Sequence, residues 1–121
     1  MTDLKKLTES ELAMFCGSDK FHRSGLGIMF TDGIKFLADR AACHWLIDVV
    51  GSYQVAGLPS FLIWELTCNP EGGAIVTAKE DSDQPALITQ EIPVTDYLSH
   101  SEINPLKLYL VDRVLMLPGE Y

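Results

Sequence analysis

Thr31-Asp32-Gly33-Ile34-Lys35-Phe36-Leu37-Ala38-Asp39-Arg40-Ala41-Ala42-Cys43-His44-Trp45-Leu46-Ile47-Asp48-Val49-Val50 is the stretch on which the fold turns. Its spacing predicts one long helix. Thr31 or Asp32 offers an oxygen to the free amides of the first turn. At about 100° per residue, Ile34, Leu37, Ala38, Ala41, Trp45 and Val49 share one arc and form a core face. Phe36, Cys43, Ile47 and Val50 fall nearly opposite, bordered by Lys35, Asp39 and Arg40. Gly51-Ser52 ends the helix. A helix apolar on two sides must be covered on two sides, so this one organises the rest of the chain.

Upstream, Thr8-Glu9-Ser10-Glu11 reads as a capping box. It opens a short helix with Leu12 and Phe15 on one side, Leu7 stapled ahead of it and Gly17 as its stop. Residues 20–23 and 26–30 read as a strand pair around a Ser24-Gly25 turn. Downstream the period changes from helical to alternating. Phe61, Ile63, Glu65 and Thr67 alternate with Leu62, Trp64, Leu66 and Cys68. Asn69-Pro70-Glu71-Gly72-Gly73 is a turn, and residues 74–79 are the next strand. Glu80-Asp81-Ser82-Asp83-Gln84-Pro85 is an acidic loop, and residues 86–94 are a third strand. Thr95-Asp96-Tyr97-Leu98 opens a helical turn. Residues 106–111 and 114–117 form a tight hairpin, although Asp112-Arg113 is not the favoured type I′ pair. Short turns between strands imply antiparallel pairing. The expected fold is a single α+β domain over residues 1–121. An antiparallel sheet of about five or six strands packs on one long central helix, with a short N-terminal helix.

Composition narrows the function classes. The chain has 121 residues, 47% of them apolar, and a net charge of −8 from 17 acidic and 9 basic residues. That supports one core and argues against direct nucleic-acid binding, which needs a basic stripe. It permits a surface that attracts a protein partner, such as a basic nucleic-acid-binding protein, although a charge that only aids solubility is the stronger reading of the balance itself. Cys16, Cys43 and Cys68 follow neither a disulfide nor a zinc pattern and read as buried thiols of a reducing compartment. The first ten residues hold no apolar run, and no segment has the ~18 apolar residues of a membrane span, so a cytoplasmic protein is expected.

Several strings carry a resemblance: Phe15-Cys16-Gly17-Ser18, Phe30-Thr31-Asp32-Gly33-Ile34-Lys35-Phe36-Leu37-Ala38, His44-Trp45-Leu46-Ile47-Asp48, Ile63-Trp64-Glu65-Leu66, Val94-Thr95-Asp96-Tyr97 and Leu117-Pro118-Gly119-Glu120-Tyr121. In this order the chain resembles a family of small uncharacterised proteins of bacteria, plasmids and phages. That family's pattern is a YTDG-type helix start, a WLL-type helix interior, a TDF-type segment and a terminal LPSEY. Phe30, Tyr97 and Gly119 depart from it mildly. The resemblance implies a compact domain in a mobile-element setting and supplies no catalytic residues.

Each candidate site has a plainer alternative. His44 and Asp48 lie one helical turn apart and suit a general base with its orienting carboxylate, but no nucleophile sits in a recognisable context and a helix-side ion pair is the stronger reading. Glu80, Asp81 and Asp83 have the 1,3 spacing of a hard-cation loop, without the further ligands of an EF-hand. Thr31-Asp32 and Thr95-Asp96 repeat a pair that caps helical turns. Lys20, His22 and Arg23 form a basic patch too short for nucleic acid. Trp45 and Trp64 are expected to face each other in the core. No catalytic, cofactor or metal residue is assigned. The expected protein-interface residues are Phe36, Cys43, Ile47 and Val50, unless Leu12 and Phe15 cover them, together with Glu80, Asp81 and Asp83. The leading expectation is a small acidic protein-binding module that inhibits a host defence system by surface occlusion, in the manner of an anti-CRISPR. The alternatives are a small enzyme using His44 with Asp48 or Asp39, and a homodimer assembled through the Phe36/Ile47 stripe or an edge strand at residues 114–117.

Overall fold

A computed structural model describes residues 6–15, 21–24, 27–53 and 59–121. The expected helix stop at Gly17, and Cys16, Lys20, Gly25 and Leu26, lie outside those residues. The described elements run α1 (Glu9–Leu12), β1 (Phe21–Arg23), β2 (Met29–Thr31), α2 (Asp32–Arg40), α3 (His44–Ser52), β3 (Phe61–Cys68), β4 (Ala74–Lys79), β5 (Ile88–Ile92), α4 (Tyr97–His100), β6 (Leu106–Val111) and β7 (Val114–Met116). A single 3-10 turn follows at Pro118–Glu120. The architecture is mixed α+β.

The long helix is two helices. Ala41 closes α2, Ala42 takes a left-handed conformation at φ 53, and α3 restarts after Cys43. A left-handed alanine costs about 1–2 kcal/mol, so burial must favour the break. Ile34, Leu37 and Ala38 of α2 are buried, and so are Leu46, Ile47 and Val50 of α3, with Ala41 and Cys43 buried between them. The break rotates the second half so that both apolar stripes reach one core. The two stripes are therefore a single stripe with a phase shift at residues 41–43.

The sheet has seven strands in the order β1-β2-β7-β6-β3-β4-β5, not five or six. The extra width comes from β2, which pairs parallel to β7 (Met29 with Val114, Phe30 with Leu115) and so joins the short β1–β2 hairpin to the main sheet. The other strand pairings of the described sheet are antiparallel, and an isolated parallel bridge joins Leu7 to Ser101. The strand at residues 114–117 is consequently interior, with a neighbour on each side, and offers no edge for a dimer. Asp112 and Arg113 have φ 49 and 68, so their hairpin does use two left-handed positions, as a type I′ turn does.

The alternation along β3 and β6 decides the core. Leu62, Trp64, Leu66, Leu106, Leu108 and Leu110 point inward with Val76, Ala78 and Leu115, and join the buried sides of α2 and α3. The ring that stands against Trp64 is Tyr53, with centroids 6.1 Å apart, while Trp45 is half-buried at the margin. Among the described residues Trp64 Nε1 is buried without a hydrogen-bond partner, a state that costs about 1–3 kcal/mol. Leu7, fully buried, bridges to the far end of the chain. Its amide donates to the His100 carbonyl at 2.8 Å, and its carbonyl accepts from Glu102 at 2.9 Å.

Candidate functional site

The expected interface residues on the helix are interior. Cys43, Ile47 and Val50 are 1%, 5% and 0% exposed and present no surface to a partner. Phe36 is half-buried, with the Phe15 ring 5.2 Å away and the Arg40 guanidinium over its ring at 5.5 Å. Arg40 in turn forks onto the Glu11 carboxylate, which ties α1 to α2. The hydrogen bond from Arg40 holds Glu11 below its ordinary pKa. Glu80, Asp81 and Asp83 are exposed on the β4–β5 loop. Asp81 accepts from the Ser82 amide at 2.6 Å, so it is engaged in its own turn. Among the described residues, no three His, Cys, Asp or Glu side chains gather as metal ligands.

The histidines are surface partners of aspartates. His44 Nε2 meets Asp39 at 2.8 Å rather than Asp48, because the break after Arg40 swings the start of α3 back toward α2. His44 is 63% exposed and lies on open surface. Desolvation pushes Asp39 up, but bonds from Lys35 and His44 outweigh it and leave its pKa lowered. His22 lies 2.7 Å from Asp32 and stacks on Phe30 at 5.3 Å, and His100 lies 3.2 Å from Asp96. Burial pushes the Cys43 thiol up to about 12, with Cys68 nearby adding to it. At neutral pH that sulfur is a thiol, not the thiolate a nucleophile requires.

The motif strings that carry the resemblance do structural work. Thr31 Oγ1 accepts the Ile34 amide at 3.3 Å as the cap of α2, and its hydroxyl donates to Glu120 at 2.6 Å. Glu120 also accepts the Leu117 amide at 3.0 Å. Gly33 lies under this carboxylate so closely that a Cβ there would stand 2.5 Å from Glu120 Oε1. The Thr31-Asp32-Gly33 string and the final five residues are thus two halves of one clasp. The Thr95-Asp96-Tyr97 string is likewise local. Thr95 Oγ1 accepts the Tyr97 amide, and the buried Tyr97 hydroxyl donates to the Ile103 carbonyl at 2.7 Å and accepts from Ser101 at 3.1 Å.

What the clasp positions is Tyr121. The register places Met29, Val114, Val111 and Phe61 in one row on the outer face of the sheet, and Met116, Tyr109 and Ile63 in the next. None of the described helices packs on this face, and its large side chains keep part of their surface open. Tyr121 folds back over it. Its ring lies 5.4 Å from Phe61 and 5.5 Å from Tyr109, which are 5.3 Å from each other, all tilted or edge-on. Tyr121 remains 72% exposed. These residues were missed in the sequence because alternation was read only for its inward set. The signal was present: the second half of β6 and the first half of β3 are apolar at both parities, which marks a strand wanted by two neighbours. Beside the Pro118–Glu120 turn lies a separate groove of about 550 Å³, lined by Leu12, Ile103, Pro105, Leu106, Lys107 and Leu117.

The model of a family of unknown function, DUF6876, matches residues 6–121. The chain belongs to that family. No curated protein and no solved structure matches it. The DUF6876 match takes in both halves of the clasp and all seven strands, so the geometry here is that of the family's matched region and not of an appended segment. Among the described residues, no helix is long and apolar enough to cross a membrane.

Proposed function

We propose that this chain is a small acidic protein-binding module of the cytoplasm that works by occupying another protein's surface through the outer face of its sheet. The observation that carries the reading is the Phe61–Tyr109–Tyr121 cluster on a sheet face left open by the helices. A one-sided antiparallel sheet ordinarily shows polar residues to water. This one shows aromatic rings with Met29, Met116, Arg23 and Arg113 beside them, the residue types enriched at the centre of protein interfaces. Three clustered rings, one of them protruding, fit the hot-spot pattern of a central anchor ringed by lesser contacts. The exposed ring cluster offers contact area, which supports inhibition by occlusion as the mode of action, in the phage or plasmid setting that the sequence resemblance implies. The enzymatic reading has weaker support, since His44 is an exposed member of a helix-side ion pair.

The test is differential capture from a lysate of the cell that carries the gene. Wild type should retain a protein that Tyr121→Ala and Met116→Lys both lose and that Glu80→Lys keeps. Identical capture by all four baits would refute the outer face as the contact surface.

A further inference from the structure

Charge is unevenly divided over the outer face. In its β1–β2–β7 half, the outward strand positions include Phe21, Arg23, Met29, Val114 and Met116, and none of them carries a carboxylate. Arg113, in the β6–β7 turn, belongs to the same half. Its carbonyl accepts the Met29 amide at 2.9 Å, and its guanidinium would lie 3.9 Å from a Cβ at Gly27, just ahead of β2. Met29 therefore stands with Arg23 on one side and the Arg113 turn on the other. Both arginines are exposed, and among the described residues neither makes an ion pair. Lys35 and Arg40, on the helices, are each matched to a carboxylate. The acidic groups of this region are mostly committed. Asp112 shares the turn with Arg113, but Asp32 is taken by His22, and Glu120 is held under the clasp by Thr31 and Leu117. Glu80, Asp81 and Asp83 follow β4, four inter-strand steps from β2. That is about 19 Å, more than two Debye lengths at physiological salt.

Apolar side chains flanked by two uncommitted guanidiniums suit a segment that carries carboxylates around an apolar centre. The planar guanidinium fork matches a carboxylate with two parallel hydrogen bonds. Phe21, which is 49% exposed, offers apolar contact beside Met29 and Met116. From this we infer that the partner meets the outer face with an acidic segment of its own chain, carboxylates on Arg23 and Arg113 and apolar side chains on Met29, Met116 and Tyr121. The inference rests on the outer face being the contact surface and adds the chemistry of what that face takes. It runs against the net charge of −8, which by itself would attract a basic partner. Net charge governs the approach, whereas contact is decided by the groups within reach. Nucleic acid fits this face less well. Two guanidiniums neutralise too few phosphates to hold a backbone against so acidic a chain. The Phe61, Tyr109 and Tyr121 rings also meet one another at 51°, 67° and 84°, so they cover each other instead of offering parallel faces to bases.

Fluorescence anisotropy at physiological ionic strength tests this. The probes are labelled peptides that share a Phe/Pro core and differ only in their flanks, which are paired glutamates, glutamines or lysines, together with labelled oligothymidylate. The glutamate-flanked peptide should bind at least about tenfold more tightly than any other probe. Arg23→Gln and Arg113→Gln should each weaken it several-fold, with unchanged thermal melts to verify folding. Asp48→Lys, at an exposed position of α3 in the helix layer, should change it by less than about twofold, because charges beyond a Debye length are screened. Equal binding of the glutamate- and glutamine-flanked peptides overturns the acidic-segment inference. So does tighter binding of the lysine-flanked peptide or of oligothymidylate, or no binding of any probe at millimolar protein. Glutamate-selective binding that both arginine variants leave untouched overturns it as well, since the peptide would then sit elsewhere. These failures are separate from failure of the outer-face reading, because capture from the lysate depends on Tyr121 and Met116 and this comparison on the charge of the probe.

Discussion

Replacing Gly33 with alanine should destabilise the protein, and removing Glu120 first should reverse the sign. Gly33 sits in the first turn of α2 without a left-handed φ, so propensity alone favours alanine there by up to about 1 kcal/mol. Space does not. The new Cβ would stand 2.5 Å from Glu120 Oε1, 2.8 Å from its Cδ and 2.7 Å from Leu117 Cδ1. Glu120 cannot simply rotate, because the Thr31 hydroxyl and the Leu117 amide hold it at 2.6 and 3.0 Å. Hydrogen bonds to a charged group contribute about 1.5–3 kcal/mol where buried. Glu120 is half-exposed and regains water when released, so about 2 kcal/mol for the pair is the appropriate scale. The net is a loss of about 1 kcal/mol. With an unfolding entropy of about 2.1 cal/mol/K per residue over 121 residues, the Tm should fall by about 4 °C. In a Glu120→Ala background the obstruction is gone, Leu117 can turn into the vacated space, and Gly33→Ala should raise the Tm by about 2–4 °C. Calorimetry on the four proteins of this cycle reads a coupling of about 2 kcal/mol. Additive shifts, or a higher Tm for Gly33→Ala alone, would refute the clasp.

Tyr97→Phe deletes a hydroxyl that serves both Ile103 and Ser101 in a buried setting. It should cost about 1–3 kcal/mol in urea unfolding with an unchanged m-value. Asp112→Asn with Arg113→Gly places the preferred pair on two left-handed positions, and in dilute protein it should stabilise by about 1 kcal/mol, measured the same way. Glu11 has a folded pKa below its ordinary 4.5, so its stabilising bond to Arg40 is fully present above that value and is lost as the pH falls through the folded pKa. The stability gap between wild type and Glu11→Gln should therefore be open at pH 7 and close progressively below pH 4.5, as followed by thermal melts.

Local signals in the sequence were reliable where local physics decides. Thr31 caps α2 because its hydroxyl can reach the Ile34 amide within one turn, and Glu11 reaches back to the Thr8 amide at 3.3 Å for the same reason. The inward set of β3 alternates without error, since a period of two leaves no other register against one core. The parallel pairing of β2 with β7 was invisible. Its partners are far apart in the chain, and nothing in Met29-Phe30-Thr31 specifies Val114-Leu115-Met116. The candidate site suffered from the same limit. Tyr121 reaches Phe61 and Tyr109 only because Glu120 is held by Thr31, a contact between opposite ends of the sequence. Charge misled in a further way. A net value of −8 describes the whole surface, while a binding face responds to charges within about a Debye length, roughly 8 Å at physiological salt.

The broken helix shows what a two-striped pattern can mean. A straight helix with apolar residues on opposite faces must lie between two layers, and here only one sheet is available. The chain meets that constraint by restarting the helix, so that Cys43, Leu46, Ile47 and Val50 turn toward the same core as Ile34, Leu37, Ala38 and Ala41. No glycine or proline marks the site, and alanine, the best helix former, occupies the left-handed position at Ala42. Propensity therefore pointed away from the break. The evidence for it lay in the order of the stripes: most of the first lies before residue 42 and most of the second after it. Two faces of a continuous helix would be interleaved along its length. Phe36, Trp45 and Val49 fall on the wrong side of that division, and all three end half-buried at the margin of the core. Segregation of two apolar arcs along the chain is thus the signature of a phase shift, and it converts an apparent second interface into interior.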